Sequence, residues 1–220
     1  MDNKLQATVD IGSMSCIMLI AAFEDGKLVP KLQKVKICKL GEDIYEQGRI
    51  SEKKIEELVG VMTSFRMDLH ALGADIKAVA MTEAMRRAEN QEEVIDAVEK
   101  ALWFRPRIIT GEEEAKLTFR SVKEWHGSDI VTIDIGGGST ELVVGHGPQL
   151  VCAFSCQMGA VRLFQQAPIT GHGDLPAVED LATQILEEKL RSHPTLSIPD
   201  RWIGTGGTFT TLAAIVRGVH

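Results

Sequence analysis

Residues 131–144 combine the residue types that could do chemistry on a phosphate. Two apolar runs flank the turn Asp-Ile-Gly-Gly-Gly-Ser-Thr, and Asp134 and Glu141 stand at its two ends. Consecutive glycines allow a sharp turn and a close approach to a ligand, and successive N–H groups in such a turn bind anions. The pattern predicts a phosphate site that a metal ion or a water shares. A glycine-rich hairpin with two solvated acids is the alternative.

The same arrangement occurs a second time near the start of the chain. Residues 8–13 read Thr-Val-Asp-Ile-Gly-Ser, and residues 132–136 read Thr-Ile-Asp-Ile-Gly. Each copy is predicted to be a strand, a turn and a second strand, so the repeat indicates two related lobes. A third glycine turn, Thr-Gly-Gly-Thr, covers residues 205–208. A chance recurrence of Asp-Ile-Gly is the weaker alternative, because the strand context also matches.

Alternating strands and helices are predicted to position these turns. Ser51 is expected to cap a helix that stops at Gly73. Asn90 with Glu93, and Thr110 with Glu113, have the spacing of capping boxes. The helix after Thr110 carries three acids in its first turn, residues 112–114, where they suit the helix dipole. The remaining predictions place strands at residues 5–10, 16–23, 28–38, 76–80, 107–109, 131–135, 140–144, 149–155 and 201–204, and helices at about 159–163, 175–192 and 210–219.

Composition excludes several classes of function. The chain has 220 residues, of which 44% are hydrophobic and 25% charged, which is typical of a globular protein. A net charge of −7 argues against a general binder of nucleic acid or of an anionic membrane. We find neither a transmembrane run nor a signal peptide. The four cysteines form no C-x-x-C pair, so we expect free thiols and a cytoplasmic location.

Several motifs, taken in order, resemble the exopolyphosphatase / guanosine pentaphosphate phosphohydrolase (Ppx/GppA) family, within the actin and sugar-kinase superfamily. The resemblance covers nearly the whole chain, and the ordered set is more specific than any one member. The motifs lie at residues 10–13, 40–42, 48–51, 110–117, 134–141, 159–163 and 204–208.

The resemblance implies an α/β, two-lobed ribonuclease-H-like fold with the active site in the cleft between the lobes. We expect a first lobe at residues 1–125 and a second at 126–220, the second appearing truncated at its C-terminus, with a homodimer as one consequence. It further implies a hydrolase acting on acid anhydrides. Its expected substrates are inorganic polyphosphate, guanosine pentaphosphate or both, and its expected cofactor is Mg²⁺.

The family's catalytic base matches Glu114, where the motif Glu-Ala-Arg-Leu reads Glu-Ala-Lys-Leu. Its further catalytic acids match Asp134 and Glu141. A solvated first helical turn is the alternative for Glu114, and a surface ion pair is an equal alternative for the family arginine at Arg86. The metal ligands are predicted to be Asp10, Asp134 and Glu141. The phosphate-binding residues are predicted to be Gly12, Ser13, Arg86, Gly136, Gly137, Gly138, Ser139, Gly206, Gly207 and Thr208.

The first turn departs from the family pattern Asp-Ile-Gly-Ser-Asn-Ser-x-Arg. Met14 stands in place of the Asn and Ile17 in place of the Arg, so two polar side chains are replaced by weakly polar or apolar ones. A non-catalytic regulatory protein that binds a nucleotide or polyphosphate is therefore the alternative to an enzyme. A relative of the actin-like ATPases or sugar kinases is a third and weaker hypothesis.

Overall fold

The computed structural model describes residues 4–126, 129–146, 149–193 and 195–219. The chain divides into two compact units, Met1–Ile109 and Thr110–His220. Each unit contains one mixed β-sheet with helices packed against it. No helix in the described ranges is long and apolar enough to cross a membrane.

The first unit is built on a sheet with the strand order β3-β2-β1-β4-β5. β1 pairs antiparallel with β2 and parallel with β4, so a hairpin meander continues into parallel strands. The strands are β1 (Gln6–Ile11), β2 (Ser15–Glu24), β3 (Lys27–Ile37), β4 (Asp75–Met81) and β5 (Arg107–Ile108), and the helices are α1 (Leu40–Gln47), α2 (Glu52–Leu72), α3 (Glu83–Arg87) and α4 (Gln91–Leu102).

One apolar core holds the first unit together. α2 presents Leu58, Met62, Phe65 and Leu69 at helical spacing, and all four side chains are buried. They belong to a cluster that also contains the buried side chains of β1, β2 and α4. This cluster lies on the sheet face that bears Val9, so the helices cover that face.

The second unit repeats the strand order of the first. Its sheet runs β8-β7-β6-β9, with β6 antiparallel to β7 and parallel to β9. The strands are β6 (Ile130–Ile135), β7 (Thr140–His146), β8 (Gln149–Cys156) and β9 (Trp202–Thr205), and the helices are α5 (Gly111–His126), α6 (Ala160–Gln166), α7 (Leu175–Leu190) and α8 (Gly206–Arg217), with a 3₁₀ turn at His172–Asp174. The shared order confirms that the Asp-Ile-Gly repeat marks two related units.

The boundary between the units lies after Ile109, earlier than the predicted boundary at residue 125. The reason is the packing of α5, which contacts β6, β7 and β8. Its side chains Ala115 and Phe119 are buried in a cluster with Ile130 and Val143. The helix that carries Glu114 therefore belongs to the second unit.

Most of the predicted helix ends are confirmed. Ser51 accepts a hydrogen bond from the Lys54 N–H at 3.3 Å, and Gly73 ends α2 with a φ of 64°. The predicted capping box at Asn90 is wrong. Its amide instead bonds both backbone groups of Ile50, each at 2.9 Å, and so fixes the segment before α2 to the start of α4.

The outer helix α8 leaves apolar side chains exposed. Ile215 is 71% exposed and Val216 is 86% exposed. Exposed apolar groups on this scale often mark a contact surface. The homodimer stays a prediction.

A pair of substitutions on α2 tests the first core. We expect Phe65→Ala to lower the free energy of unfolding by about 3–5 kcal/mol, because it empties a fully buried site. Met67→Ala is the matched control, since Met67 is 68% exposed on the same helix, and it should stay within about 0.5 kcal/mol of wild type. Urea denaturation followed by circular dichroism measures both. Equal effects of the two substitutions would contradict this placement of the core.

Candidate active site

The β6–β7 hairpin brings two carboxylates opposite each other. Asp134 pairs with Glu141 in the antiparallel register. The intervening turn is closed by a hydrogen bond of 2.9 Å from the Gly136 N–H to the Ser139 carbonyl. Side chains directly opposite in such a pair lie about 5 Å apart at their Cβ atoms. The hairpin therefore holds both acids on one face of the sheet, next to the glycine turn.

The glycine turn is supported by the start of α6. The N–H groups of Ala160 and Val161 donate to the carbonyls of Gly136 and Gly137, each at 2.9 Å. In a planar trans peptide the N–H points away from the carbonyl, so the N–H groups that follow these carbonyls point away from α6. Oriented N–H groups of this kind suit the non-bridging oxygens of a phosphate.

Gly159 makes the close approach of α6 to this turn possible. A Cβ at that position would lie 2.5 Å from the Gly137 carbonyl carbon and oxygen. Any side chain would therefore displace the turn from α6. Gly159 is a site residue that we did not predict, although it begins the motif at residues 159–163.

Glu141 is almost fully buried, with 3% of its surface exposed. The Ser155 hydroxyl on β8 donates to its Oε1 at 2.7 Å. Burial, together with the negative charges of Glu114 and Asp134, raises the pKa of Glu141 to about 8 against the opposing hydrogen bonds from Ser155 and Ser139. Burial thus shifts the equilibrium of Glu141 towards its protonated form.

Asp134 lies against the turn between β9 and α8. Burial raises the pKa of Asp134, and a hydrogen bond from Thr205 opposes that rise. A Cβ on Gly206, which has a φ of 80°, would lie 2.3 Å from the Asp134 Oδ1. The Thr208 hydroxyl donates to the Ile135 carbonyl at 2.8 Å. The third glycine turn, which includes Gly207, is therefore joined to the β6–β7 hairpin.

Glu114 approaches the same acids from α5. The helix begins with the predicted capping box, in which the Thr110 N–H donates to Glu113 at 2.9 Å and the Glu113 N–H donates to Thr110 at 3.1 Å. Buried Ala115 fixes the rotation of this first turn. Glu114 is half-buried, and its charge contributes to the raised pKa of Glu141. A fully solvated first turn does not describe this side chain.

The first unit has the same turn with fewer acids. The Gly12 N–H donates to the Ser15 carbonyl at 2.9 Å, as Gly136 does to Ser139. Asp10 pairs with Ile17, so an apolar residue occupies the position that Glu141 holds in the second unit. Within the described ranges, the buried Ser13 hydroxyl has no hydrogen-bond partner. A phosphate oxygen would satisfy it.

Arg86 lies on the short helix α3. Its Nε donates to Glu83 at 3.1 Å, and its Nη1 donates to the Ile109 carbonyl at 2.9 Å. Glu83 is buried and Arg86 is half-buried. The pair is therefore not the surface ion pair of the alternative interpretation. These contacts join α3 to the last residue of the first unit. That Arg86 binds phosphate stays a prediction.

The two acids of the hairpin fit a divalent cation. A bound cation would offset the cost of placing negative charge on the buried Glu141 and the half-buried Asp134, a cost that raises the pKa of both, and Mg²⁺ characteristically takes one or two carboxylates together with water and substrate phosphates. No group of three or more His, Cys, Asp or Glu side chains within the described ranges is arranged as a metal site. Asp10 belongs to the other unit, so its part in a shared site stays a prediction.

Ser155 is a second site residue that the sequence analysis did not identify. It lies opposite Glu141 in the β7–β8 register. The signal was available only from strand pairing, because nothing in the local sequence around Ser155 distinguishes it.

Sequence comparison with known proteins matches nearly the whole chain. The sequence model of the Ppx/GppA phosphatase family matches residues 19–219. The chain is similar to exopolyphosphatase 2 of Mycobacterium tuberculosis (strain CDC 1551 / Oshkosh), with 30% identity over 231 residues that cover 97% of this chain and 71% of the relative.

Solved structures give the same result. The crystal structure of the Aquifex aeolicus Ppx/GppA family member superimposes with a TM-score of 0.79 at 30% identity, and covers 99% of this chain and 71% of that chain. An exopolyphosphatase from Cytophaga hutchinsonii has a TM-score of 0.89 at 23% identity, with coverage of 96% and 70%. With the two repeated sheets, these structures confirm the predicted ribonuclease-H-like α/β fold.

A glycine substitution tests how closely α6 packs against the glycine turn at residues 136–139. We expect Gly159→Ala to destabilise the protein by about 1–3 kcal/mol, because the new methyl group overlaps the Gly137 backbone. Gly171→Ala is the matched control, since a Cβ there meets nothing within 4 Å. Urea denaturation measures both variants. The close packing is refuted if Gly159→Ala is as stable as Gly171→Ala.

The raised pKa of Glu141 predicts a pH-dependent stability. The folded pKa of about 8 exceeds the ordinary value of 4.5, so this group stabilises the fold at low pH and loses that contribution as the pH rises through 8. The free energy of unfolding of Glu141→Gln should therefore rise relative to that of wild type between pH 5 and pH 9. The expected rise is roughly 1–4 kcal/mol, since a tenfold change in proton affinity is worth about 1.4 kcal/mol.

Urea denaturation at pH 5, 7 and 9 without added divalent metal measures this difference. Glu188→Gln, on the exposed part of α7, is the control and should stay parallel to wild type. A Glu141→Gln curve that is also parallel to wild type would contradict the assigned pKa.

Proposed function

We propose, since the chain belongs to the Ppx/GppA phosphatase family, that it hydrolyses terminal phosphoanhydride bonds of inorganic polyphosphate and releases phosphate. The observation that supports this activity is the grouping of Asp134 and Glu141 beside a glycine turn, with Glu114 close enough to influence Glu141. Anion-binding backbone and acids seldom share a site unless a phosphate and a water or cation meet there.

The reaction needs positioning more than covalent chemistry. In our proposal the N–H groups of residues 136–139 and of the turn at 206–208 bind the non-bridging oxygens of the terminal phosphate. Glu114 accepts a proton from a water whose oxygen attacks the terminal phosphorus. The bond from phosphorus to the bridging oxygen breaks, and the shortened chain leaves with that oxygen.

Asp134 and Glu141 are the residues that would hold Mg²⁺. A bound ion would neutralise phosphate charge that these two facing carboxylates would otherwise repel. Asp10 is the proposed ligand from the first unit. Phosphate contacts from Gly12, Ser13 and Arg86 belong to the same proposal, and the unpartnered Ser13 hydroxyl supports it most directly.

Guanosine pentaphosphate is the proposed second substrate, because the glycine turns recognise phosphate groups rather than a base. The regulatory alternative is less favoured. It was motivated by Met14 and Ile17, yet the first turn keeps its closing hydrogen bond with Met14 present. A cytoplasmic location also stays a prediction.

A pair of substitutions in the first turn of α5 tests the enzyme. Glu114→Gln should reduce phosphate release from polyphosphate by roughly 10²–10⁴, because it removes the proposed base and keeps the side-chain shape. Glu112→Gln is the matched control, since Glu112 is exposed in the same helical turn, and it should keep the wild-type rate. Release is measured with and without Mg²⁺, on polyphosphate and on guanosine pentaphosphate.

The outcomes separate the parts of the proposal. A Glu114→Gln variant at the wild-type rate refutes the role of Glu114. Absence of phosphate release by wild type from both substrates with Mg²⁺ refutes the hydrolase, and binding without turnover would then favour the regulatory alternative.

A further inference from the structure

Two cysteines meet behind the first glycine turn. Cys16 lies near the start of β2, and Cys38 follows the end of β3. Their sulfur atoms are 3.1 Å apart. Both thiols are free and buried, with 0% and 4% of the residue surface exposed. A disulfide bond measures about 2.05 Å, so the sulfurs need to approach by only about 1 Å.

The cysteine pair is connected to the turn by backbone hydrogen bonds. The N–H groups of Cys38 and Lys39 both donate to the Met14 carbonyl at 2.9 Å, and the Gly41 N–H donates to the Ser13 carbonyl at 2.8 Å. Cys16 continues the same turn into β2. A covalent bond between the sulfurs would therefore link the two segments that set the position of residues 12–15.

We propose that Cys16 and Cys38 are an oxidative modification site, at which a small peroxide produces an intramolecular disulfide that fixes the first glycine turn. The other two cysteines provide a contrast. Cys152 and Cys156 lie four residues apart on the single strand β8, which separates their Cα atoms by about 13 Å. They cannot form the equivalent bond.

The local chemistry assigns different roles to the two thiols. The hydrogen bond shared with Cys16 lowers the pKa of Cys38, and the charge of Lys54 acts in the same direction, against partial burial and the charge of Glu57. Lys54 also donates to the Cys38 carbonyl at 3.1 Å. The same hydrogen bond and burial raise the pKa of Cys16. Cys38 is also the less deeply buried of the two thiols, so we assign the first reaction with peroxide to it.

The oxidation balances in two steps. The Cys38 thiolate attacks hydrogen peroxide, so that an S–O bond forms, the O–O bond breaks, and hydroxide leaves and takes up a proton as water. The Cys16 sulfur then displaces the oxygen of the Cys38 sulfenic acid. The S–S bond forms, the S–O bond breaks, and a second water leaves with the Cys16 proton. The two thiols lose two electrons, and the peroxide gains them.

Peptide mapping of the full chain tests the site without reference to catalysis. Protein treated with hydrogen peroxide is denatured, alkylated and digested, and we expect two of its four thiols to be protected and a peptide linked through Cys16 and Cys38. Dithiothreitol should restore four alkylated thiols. The Cys152→Ser/Cys156→Ser double variant should form the same link, and Cys38→Ser should not.

Two results overturn the modification site. One is four alkylated thiols after peroxide treatment. The other is oxidation of Cys38 to sulfinic acid without a link to Cys16. Both are read from wild type, so a poorly folded variant does not affect the conclusion.

The effect on the turn rests on the proposed function and has its own measurement. A displacement of about 1 Å in a positioning element can cost up to about 10²-fold in rate, so we expect the linked protein to release phosphate from polyphosphate at least about tenfold more slowly, with recovery after dithiothreitol. Linked and reduced proteins with equal rates overturn the coupling to the turn. If neither form releases phosphate, the proposed function fails, whereas the disulfide is still decided by the peptide map.

Discussion

The second unit holds two facing carboxylates away from bulk water, since Glu141 is buried and Asp134 is half-buried. Asp134 and Glu141 are paired by strand register, so the β6–β7 hairpin keeps their Cβ atoms close together on one face of the sheet. Burial opposes their charge, as the raised pKa values record. A fold selected only for stability would place apolar residues at these positions. The sheet, α5 and the turn before α8 together hold an arrangement that favours a positively charged or proton-donating ligand.

The two units differ in how much of each sheet face is covered by helices. In both units, helices cover one face of the sheet. This is the face that bears Val9 in the first unit and Val131 in the second. In the second unit α5 also covers the opposite face, where Glu141 lies. Asp10, which corresponds in the first unit to Asp134 on that same face, is exposed. The repeat therefore preserves the backbone turn, while the surroundings of the acid differ.

The paired position across the hairpin shows the same difference. Ile17 in the first unit takes the place of Glu141 in the second. An apolar residue there leaves one carboxylate rather than two, so the first turn has less charge to offset. In the proposed site, phosphate binding by the first turn would rest on backbone N–H groups and on the buried Ser13 hydroxyl. The segment at residues 38–41 supports this turn from behind, as α6 supports the turn at residues 136–139.

The sequence alone determined the elements and the order of the site motifs. Hydrophobic periodicity located α2, the glycine turns located the hairpins, and the Thr110–Glu113 spacing located the start of α5. These features are local, because propensity, capping and turn chemistry act over a few residues. The capping box at Asn90 failed for the same reason, since the Asn90 amide also bonds the backbone of Ile50, which lies 40 residues away.

Only the tertiary structure decided what surrounds each acid. Strand register placed Asp134 opposite Glu141 and Ser155 beside it, and the packing of α5 assigned Glu114 to the second unit. The close contact of Gly159 with Gly137 likewise depends on how α6 meets the sheet. The burial of a side chain and its distance from other charges depend on residues that lie far apart in the chain. The motif between Asp134 and Glu141 therefore specified the residue types of the proposed phosphate site, and the fold determined their burial and their neighbours.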